Sequence, residues 1–159
     1  MTNKAKVTAN QGEPLIHIER ILNGTPEKVF KAVTTKELIE KWWVGPGYTI
    51  TAEELDPRAG GTWKYVQTTD DGQKATFYGV YHEVSPERVI QTFEFDGLPE
   101  RGHVILEKME LHATEDGKTR ITITQAFFSV ADRDGLLQNG MEEGLQKTYT
   151  KLDEVLASM

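Results

Sequence analysis

The chain ends, over residues 131–159, in ADRDGLLQNGMEEGLQKTYTKLDEVLASM. Mostly apolar positions recur there at spacings of three and four, which places them on one side of a helix: Leu137, Met141, Leu145, Thr148, Leu152, Val155 and Leu156. The stretch therefore predicts one long amphipathic helix from Ala131 to Met159. Because almost everything before it is typical of strands, we expect this apolar side to pack on the concave face of an antiparallel sheet.

Two glycines, Gly140 and Gly144, lie at the edge of the apolar stripe. Each glycine inside a helix costs roughly 1 kcal/mol relative to alanine, so two of them one turn apart indicate a reason other than helix stability. They would leave room between the helix and the sheet. Two interpretations stay open, namely close packing of the helix against a strand and a ligand cavity lined by the missing side chains.

Composition limits the classes of protein to which the chain can belong. Its 159 residues suit one domain with one core, which we expect over residues 13–159, after a polar and disordered tail at residues 1–12. A net charge of -7 disfavours nucleic acid as a partner, and no apolar stretch approaches the length of a membrane span. The absence of cysteine excludes disulfides and thiolate metal sites, and we expect a cytoplasmic protein.

Between the tail and the final helix, the pattern predicts one strand, two short helices and a meander of strands. Residues 15–22 form the first strand, and Thr25 as N-cap with Pro26 at the first helical position begins the first short helix. The second short helix ends at Gly45-Pro46-Gly47. Runs of β-branched and aromatic residues then predict strands over residues 48–55, 62–69, 74–84, 88–95, 104–114 and 119–128.

Alternation along four of these strands assigns one set of side chains to the concave face. The set comprises Trp63, Tyr65, Gln67, Phe77, Gly79, Tyr81, Val89, Gln91, Phe93, Phe95, Ile121, Ile123, Gln125 and Phe127. Large apolar groups with scattered glutamine and tyrosine polar atoms describe either an ordinary core or a mostly apolar pocket with a few orienting groups. The sequence leaves both possibilities open.

The tryptophan pair Trp42-Trp43 follows the apolar face of the second short helix. At least one of the two is expected to cap the core beneath the short helices. The other either closes the mouth of a cavity or forms an exposed contact patch.

Signatures of metal, cofactor or nucleophilic chemistry are absent from the sequence. Three of the four histidines stand on separate predicted strands and His103 lies just before the strand of His112, so no metal site is expected. No nucleophile elbow, dinucleotide fingerprint or phosphate loop occurs, so no cofactor is expected. Burial of His82 or Arg20 would alter this interpretation, because they could act as a general base and as a carboxylate-binding group. The alternatives are an exposed histidine and an arginine whose stem lies across the sheet edge.

Several motifs resemble the START-related, helix-grip superfamily (SRPBCC), and within it the branch related to the activator of the heat-shock-protein-90 ATPase. The residues that carry the resemblance are Thr25-Pro26-Glu27-Lys28-Val29-Phe30, Lys41-Trp42-Trp43, Gly45-Pro46, Asp56-Pro57-Arg58-Ala59-Gly60-Gly61-Thr62-Trp63, Gly79-Val80-Tyr81 and Ser85-Pro86-Glu87-Arg88. The resemblance spans Leu15 to Leu156 and is specific for the fold. These motifs are turns, caps and core aromatics, so they indicate little about activity.

The resemblance implies an α+β helix-grip fold. In this fold a curved antiparallel sheet of six to seven strands wraps around a long C-terminal α-helix, with two short helices after the first strand. It also implies a cavity between sheet and helix that in various members holds lipids or other apolar molecules. Two departures bear on the cavity. Val44 separates the tryptophan pair from Gly-Pro, so the entrance loop is expected to differ, and Leu145 stands where many members have tryptophan, which would enlarge the cavity.

The first functional hypothesis is non-enzymatic binding of a small hydrophobic or aromatic ligand. The candidate ligand-binding residues are Trp42, Trp43, Trp63, Tyr65, Phe77, Tyr81, Phe93, Phe95, Phe127, Met141 and Leu145. The second hypothesis is stimulation of a heat-shock-protein-90-type ATPase by a chaperone-interaction module. The third is a cyclase-, dehydratase- or hydrolase-type enzyme whose acid-base groups come from His82, Arg20, Glu53 or Tyr65. A monomer or weak dimer without membrane insertion is expected in each case.

Overall fold

One sheet of eight antiparallel strands forms the body of the computed structural model, which describes residues 4–43, 47–138 and 140–159. The strands are β1 Lys6–Thr8, β2 Leu15–Leu22, β3 Tyr48–Leu55, β4 Thr62–Thr69, β5 Lys74–Val84, β6 Arg88–Phe95, β7 Ile105–Ala113 and β8 Thr119–Ala126. Their order across the sheet is β1-β2-β8-β7-β6-β5-β4-β3. The meander β3 to β8 was predicted, and its register joins β8 back to β2.

Four helices pack with this sheet: α1 Pro26–Thr34, α2 Lys36–Trp42, α3 Val130–Gln138 and α4 Met141–Ala157. The start of α1 is as predicted, because the side chain of Thr25 accepts from the backbone N–H of Lys28 and Pro26 takes the first position. The predicted end of α2 at Gly45-Pro46 and the inserted Val44 lie outside the described residues.

The prediction of one long C-terminal helix is wrong in one respect. Gly140 has a φ of 74° in the left-handed region, so the backbone cannot continue helically from α3 into α4. The apolar spacing runs through the break, because Leu137 in α3 and Met141 in α4 both pack on the main core. Periodicity therefore gave the buried side of both helices and missed the bend between them.

Residues 6–8 were expected in a disordered tail, but they form β1 and pair with β2. The sheet therefore has eight strands instead of six to seven, and the two short helices follow its second strand. Long-range hydrogen bonds hold the segment. The side-chain amide of Gln146 in α4 donates to the carbonyl of Ala5 and accepts from its N–H at 3.0 and 2.9 Å. The guanidinium of Arg133 in α3 donates to the carbonyls of Asn10 and Glu13.

The main core lies where α1 and α4 cover β2 and β8. Ile16, Leu22 and Leu152 have no exposed surface, and Leu156 is 2% exposed. Buried Arg20 donates to Asp153 of α4 at 2.8 Å, so an ion pair also attaches the C-terminal half of this helix to β2. A second apolar cluster lies over β3 to β6 and is mostly aromatic.

Gly144 has a surrounding that neither sequence interpretation anticipated. It is exposed, and a Cβ built on it would meet nothing within 4 Å. It therefore neither packs closely on a strand nor leaves space for a cavity. Among the residues described, no helix combines the length and the apolar character that crossing a bilayer requires.

Candidate functional site

A cavity of about 340 Å³ lies between the inner face of the sheet and α4. Strands β4 to β8 supply most of its wall, the end of α2 and the residue after it close one side, and α3 and α4 form the roof. The lining is mainly apolar and aromatic, with glutamines, one carboxyl group and tyrosines among it. This combination is typical of small-molecule sites, in which a few polar groups orient a mostly apolar ligand.

Five aromatic rings form one continuous wall. The ring of Trp43 lies 5.0 Å from Tyr65, 5.4 Å from Phe77 and 6.4 Å from Phe93, between ring centroids. Trp63 completes the wall at 4.7 Å from Tyr65 and 5.7 Å from Phe93. The pairs are edge-to-face or tilted, which aromatic quadrupoles favour over face-to-face stacking.

The local sequence explains why the two tryptophans diverge. Trp42 is the last residue of α2 and is buried, and its indole N–H donates to the carbonyl of Ala32 in α1 at 2.9 Å. Trp43 leaves the helix with a ψ of 37°, and its backbone N–H still donates to the carbonyl of Ile39. Its ring is thereby directed to the aromatic wall and both rings border the cavity. Of the two alternatives for the second tryptophan, the exposed contact patch is not formed.

Gly79 makes room for Trp63. A Cβ at this position of β5 would lie 1.9 Å from the carbonyl oxygen of Thr92 and 2.8 Å from the indole nitrogen of Trp63. No side chain fits there, so the indole occupies the space that a residue on β5 would otherwise take. Among the described residues, the buried indole N–H of Trp63 has no hydrogen-bond partner.

A row of polar side chains crosses the inner face of the sheet. The register pairs Tyr81 with Gln91, Gln91 with Glu107 and Glu107 with Gln125, on β5 to β8. The amide of Gln125 donates to the carboxyl of Glu107 at 2.8 Å. Beyond the row, the hydroxyl of Tyr65 is hydrogen-bonded to that of Tyr81.

Burial controls the ionisation of this row. It raises the pKa of the Glu107 carboxyl, and the hydrogen bond from Gln125 opposes part of that rise. It raises the pKa of Tyr81 to about 12 and the pKa values of Tyr65 and Tyr149 as well. The negative charge of Glu107 adds to the rise at both Tyr65 and Tyr149. The carboxyl is thus screened from bulk solvent while part of the Glu107 side chain borders the cavity.

Of the eleven candidate ligand-binding residues, the structure brings eight to the cavity: Trp42, Trp43, Trp63, Tyr65, Phe77, Phe93, Met141 and Leu145. The other three lie elsewhere. Tyr81 is buried behind Tyr65 and Gln91, and Phe95 stacks on Phe77 with ring centroids 4.9 Å apart. Phe127 follows the end of β8 and is buried in the main core, because the strand pattern stops at Ala126.

The predicted acid-base candidates do not converge. His82 and Glu53 are exposed, and Arg20 is engaged with Asp153. Tyr65 alone of the four lines the cavity. The structure thus corrects the choice of groups for the enzyme hypothesis.

Sequence reasoning missed the contribution of β7, from which Ile105, Glu107 and Met109 face the cavity. A signal was available. In the run from Ile105 to Leu111, every second residue is apolar except Glu107, which marks a carboxyl group on an inward face. The glutamines at positions 91 and 125 were placed on the correct face, and Glu107 lies between them.

The described residues contain no group of His, Asp or Glu side chains arranged to hold a metal ion. A second depression, of about 560 Å³, lies outside this cavity, along β4 to β6. The ion pair of Arg101 with Glu94 at 3.3 Å and the hydrogen bond from Tyr78 to Glu94 at 2.8 Å line it. It is more open and more polar than the aromatic cavity, so the smaller aromatic cavity is the better candidate for a ligand site.

Comparison with known proteins agrees with this architecture. A model of the family described as "Activator of Hsp90 ATPase homolog 1-like protein" matches residues 23–157. A crystal structure from Rhodobacter sphaeroides is 22% identical, with a TM-score of 0.89 over 98% of this chain and 100% of the other. A solution structure from Arthrobacter aurescens is 24% identical, with a TM-score of 0.84 over 97% of this chain and 92% of the other.

The crystal structure of protein NE0264 from Nitrosomonas europaea is 27% identical, with a TM-score of 0.80 over 94% of this chain and 97% of the other. No curated protein matches the sequence. The helix-grip fold implied by the sequence motifs is therefore confirmed, with eight strands in its sheet.

Proposed function

The chain belongs to the Activator of Hsp90 ATPase homolog 1-like family, and from this premise we propose that it binds a small hydrophobic or aromatic molecule without chemical conversion. The site is the cavity between the sheet and α4. One observation carries the proposal: five aromatic rings form one wall of a cavity of about 340 Å³ between the sheet and α4. A lipid chain or a ring system would meet the same wall.

The expected affinity follows from the apolar surface that such a ligand buries. At about 25 cal/mol per Å², burying roughly 250 Å² of ligand surface gives on the order of 6 kcal/mol before the entropy cost of association. Micromolar binding is the expected range unless polar groups contribute. A cytoplasmic location, supported by the absence of cysteine, belongs to the proposal.

Native mass spectrometry of the freshly purified protein tests the proposal most directly. We expect a retained small molecule that denaturing extraction releases and identifies. Titration with a panel of apolar probes, followed by tryptophan fluorescence, is the second measurement, since Trp43 and Trp63 stand in the cavity wall. A protein of bare chain mass whose fluorescence ignores the whole panel would contradict the proposal.

A cavity-filling variant connects binding to this site. Leu145 borders the cavity from α4, so Leu145→Trp is expected to occupy ligand space and to weaken binding at least tenfold while the fold is kept. Lys147→Trp, on the exposed side of the same helix, is the matched control and is expected to bind as the parent protein does. Equal binding by both variants would place the ligand elsewhere.

An enzyme of the cyclase, dehydratase or hydrolase type is a second candidate. It is favoured by Glu107 and Tyr65, two titratable groups that face one cavity. Incubation of an identified ligand with the parent protein and with Glu107→Gln, followed by mass spectrometry, tests it. Turnover by the parent protein alone would support catalysis, and unchanged ligand in both samples would contradict it.

Stimulation of a heat-shock-protein-90-type ATPase is a third proposal, and the description of the family is its motive. An ATPase assay with the chaperone from the same source tests it. No stimulation at tens of micromolar protein would contradict it.

A further inference from the structure

The described lining of the cavity holds a single acidic or basic side chain. This side chain is Glu107, and Tyr65 and Tyr149 ionise only at high pH. The residues that surround the carboxyl are the amide of Gln125 on β8, Gln91 on β6 and Tyr149 on α4. Burial of a carboxyl group costs free energy unless the group is paired, so a carboxyl with only aromatic and amide neighbours is not expected in a site for purely apolar ligands.

No basic side chain in the described ranges forms an ion pair with Glu107. The buried cation on β2, which is separated from the strand of Glu107 by β8, is Arg20. Arg20 binds Asp153 at 2.8 Å and lies 5.8 Å from the ring centroid of Tyr149. Arg20 is therefore committed to α4. A carboxylate in a site of low dielectric constant needs a counter-ion, and within this cavity a ligand is the group that can supply it.

Gln125 provides an independent sign of the missing group. Its amide nitrogen donates to Glu107 at 2.8 Å, which fixes the orientation of the side chain. Its carbonyl oxygen is buried and accepts no hydrogen bond from the described residues. Glu107 and Gln125 thus place acceptors side by side, and a ligand group with several N–H donors satisfies both.

The aromatic wall has the chemistry that attracts a cation. The faces of tryptophan and tyrosine rings carry negative electrostatic potential, and a cation within about 6 Å of a ring centroid is stabilised by it. Trp43, Tyr65 and Trp63 supply such rings on the same cavity wall. The net charge of -7 favours approach of a cationic ligand over an anionic one.

We propose that the ligand is a hydrophobic amine, whose ammonium group binds Glu107 and the carbonyl oxygen of Gln125 while its ring system or chain packs on the aromatic wall. This inference rests on the proposed binding function and specifies its ligand class. An ammonium group has three N–H donors, which suits two adjacent acceptors. An engineered protein cavity of about 150 Å³ binds benzene. The cavity of about 340 Å³ in this protein is more than twice that size, so a ligand with two fused rings fits.

A matched pair of probes tests the charge. 1-Naphthylmethylamine and 1-naphthylmethanol have the same ring system, and the first is an ammonium ion at neutral pH while the second is neutral. Isothermal titration calorimetry at pH 7.5 is expected to show at least tenfold tighter binding of the amine. Glu107→Gln is expected to abolish this preference and leave the affinity for the alcohol within about threefold, since the substitution keeps size and shape.

Glu110→Gln is the matched control. Glu110 is on the same strand but on the opposite face, where it pairs with Lys108 at 3.9 Å, and the substitution removes the same charge. It is expected to keep the preference for the amine, so a loss in both variants would indicate a long-range effect of net charge and overturn the proposal. Circular dichroism melting of each variant confirms that a change in binding is not a change in folding.

Other results separate this inference from the function on which it rests. Equal binding of amine and alcohol by the parent protein would overturn the amine proposal and leave ligand binding intact. Binding of the alcohol alone, strong at pH 5 and lost at pH 8, would show that Glu107 acts as a neutral donor, which also overturns it. Binding of neither probe, together with no retained ligand and no response to the apolar panel, would contradict the binding function itself.

Discussion

The two halves of α4 meet the same sheet in different ways. After Tyr149, Leu152 and Leu156 are almost completely buried against the strands. Before it, Met141 and Leu145 are half-buried and border a cavity. One continuous apolar stripe therefore has a closed half, from Tyr149 onward, that is buried in the core, and an open half, before Tyr149, that borders the cavity.

The strands opposite the two halves explain the difference. The closed half, from Tyr149 onward, shares one buried cluster with aliphatic side chains of β2 such as Ile16 and Leu22. Within this half, Leu152 also forms the inner end of the cavity. The open half faces rings on β4 to β6, which contact one another at fixed angles and form a wall. Aliphatic side chains fill the space between helix and sheet in the closed half. In the open half the rings pack on one another, so space is left between them and the helix.

The largest predicted effect comes from truncating the closed half. Leu152→Ala removes a side chain with no exposed surface and is expected to lower the free energy of unfolding by about 2–5 kcal/mol. Leu145 lies about two turns earlier in the same helix. Leu145→Ala enlarges an existing cavity and is expected to lower the free energy of unfolding by about 1 kcal/mol or less. Urea denaturation of both variants measures the contrast. Equal losses would mean that the open half is packed as tightly as the closed half.

A smaller effect is expected from the charge in the open half. The pKa of Glu107 is raised by burial, so the folded state holds a proton that the unfolded chain releases above about pH 4.3. The folded protein therefore loses stability as pH rises from there through the folded pKa of Glu107. Arg20 and the tyrosines at positions 65 and 149 are the other titratable groups near it.

The Glu107→Gln variant has no carboxyl group at this position, so it does not lose this stability as pH rises. The difference in unfolding free energy between variant and parent protein is expected to change in favour of the variant between pH 4 and pH 8. Urea denaturation at several pH values measures it. A difference that does not vary with pH would show that Glu107 is solvated in the folded protein, and the open half would then be less shielded from water than the closed half.

The helix backbone at the open end offers a third contrast. Gly144 is exposed with free space around it, so Gly144→Ala is expected to stabilise the protein by about 0.5–1 kcal/mol. Gly140 has a positive φ, so Gly140→Ala is expected to destabilise it by about 1 kcal/mol or more. Thermal melting of the pair measures both signs. A loss of stability in Gly144→Ala would contradict the free space around this residue and would indicate a close contact there.

The smallest effect concerns the attachment of α3 beside the cavity. The Nδ1–H of His103 donates to the carboxylate of Asp132 in α3 at 3.0 Å, and this hydrogen bond raises the pKa of His103. The stabilisation is complete below about pH 6.5 and is lost as pH rises through the folded pKa of His103. His103→Gln is therefore expected to lower stability more at pH 6 than at pH 9. Asp132→Asn is expected to give the same pH dependence, and an effect that does not depend on pH would contradict the pairing.

The sequence predicted the regular elements closely. Strand ends at β2 to β6 agree with the structure, because turn dipeptides and β-branched runs act locally. The face assignment placed Gln91, Gln125 and most of the aromatic wall correctly, since the period of two leaves one choice per strand. The ligand role of these residues stays a proposal.

The features that local patterns missed depend on distant partners or on single positions. β1 forms because Gln146 and Arg133 bind its flanking backbone from helices far along the chain, and no pattern within residues 1–12 records this. The bend at Gly140 interrupts a stripe whose spacing is continuous on both sides. Phe127 continues the alternation of β8 in sequence, but the strand has already ended.

β1 also covers one edge of the sheet. It is three residues long and lies at the edge of the sheet, where it covers the eight-residue strand β2. A long uncovered strand offers a row of unpaired backbone groups to any other chain, and short edge strands are one way in which proteins prevent such pairing. The hydrogen bonds of Gln146 to Ala5 therefore help to hold in place the strand that covers β2. A shortened N-terminus would leave β2 free to pair with a second molecule.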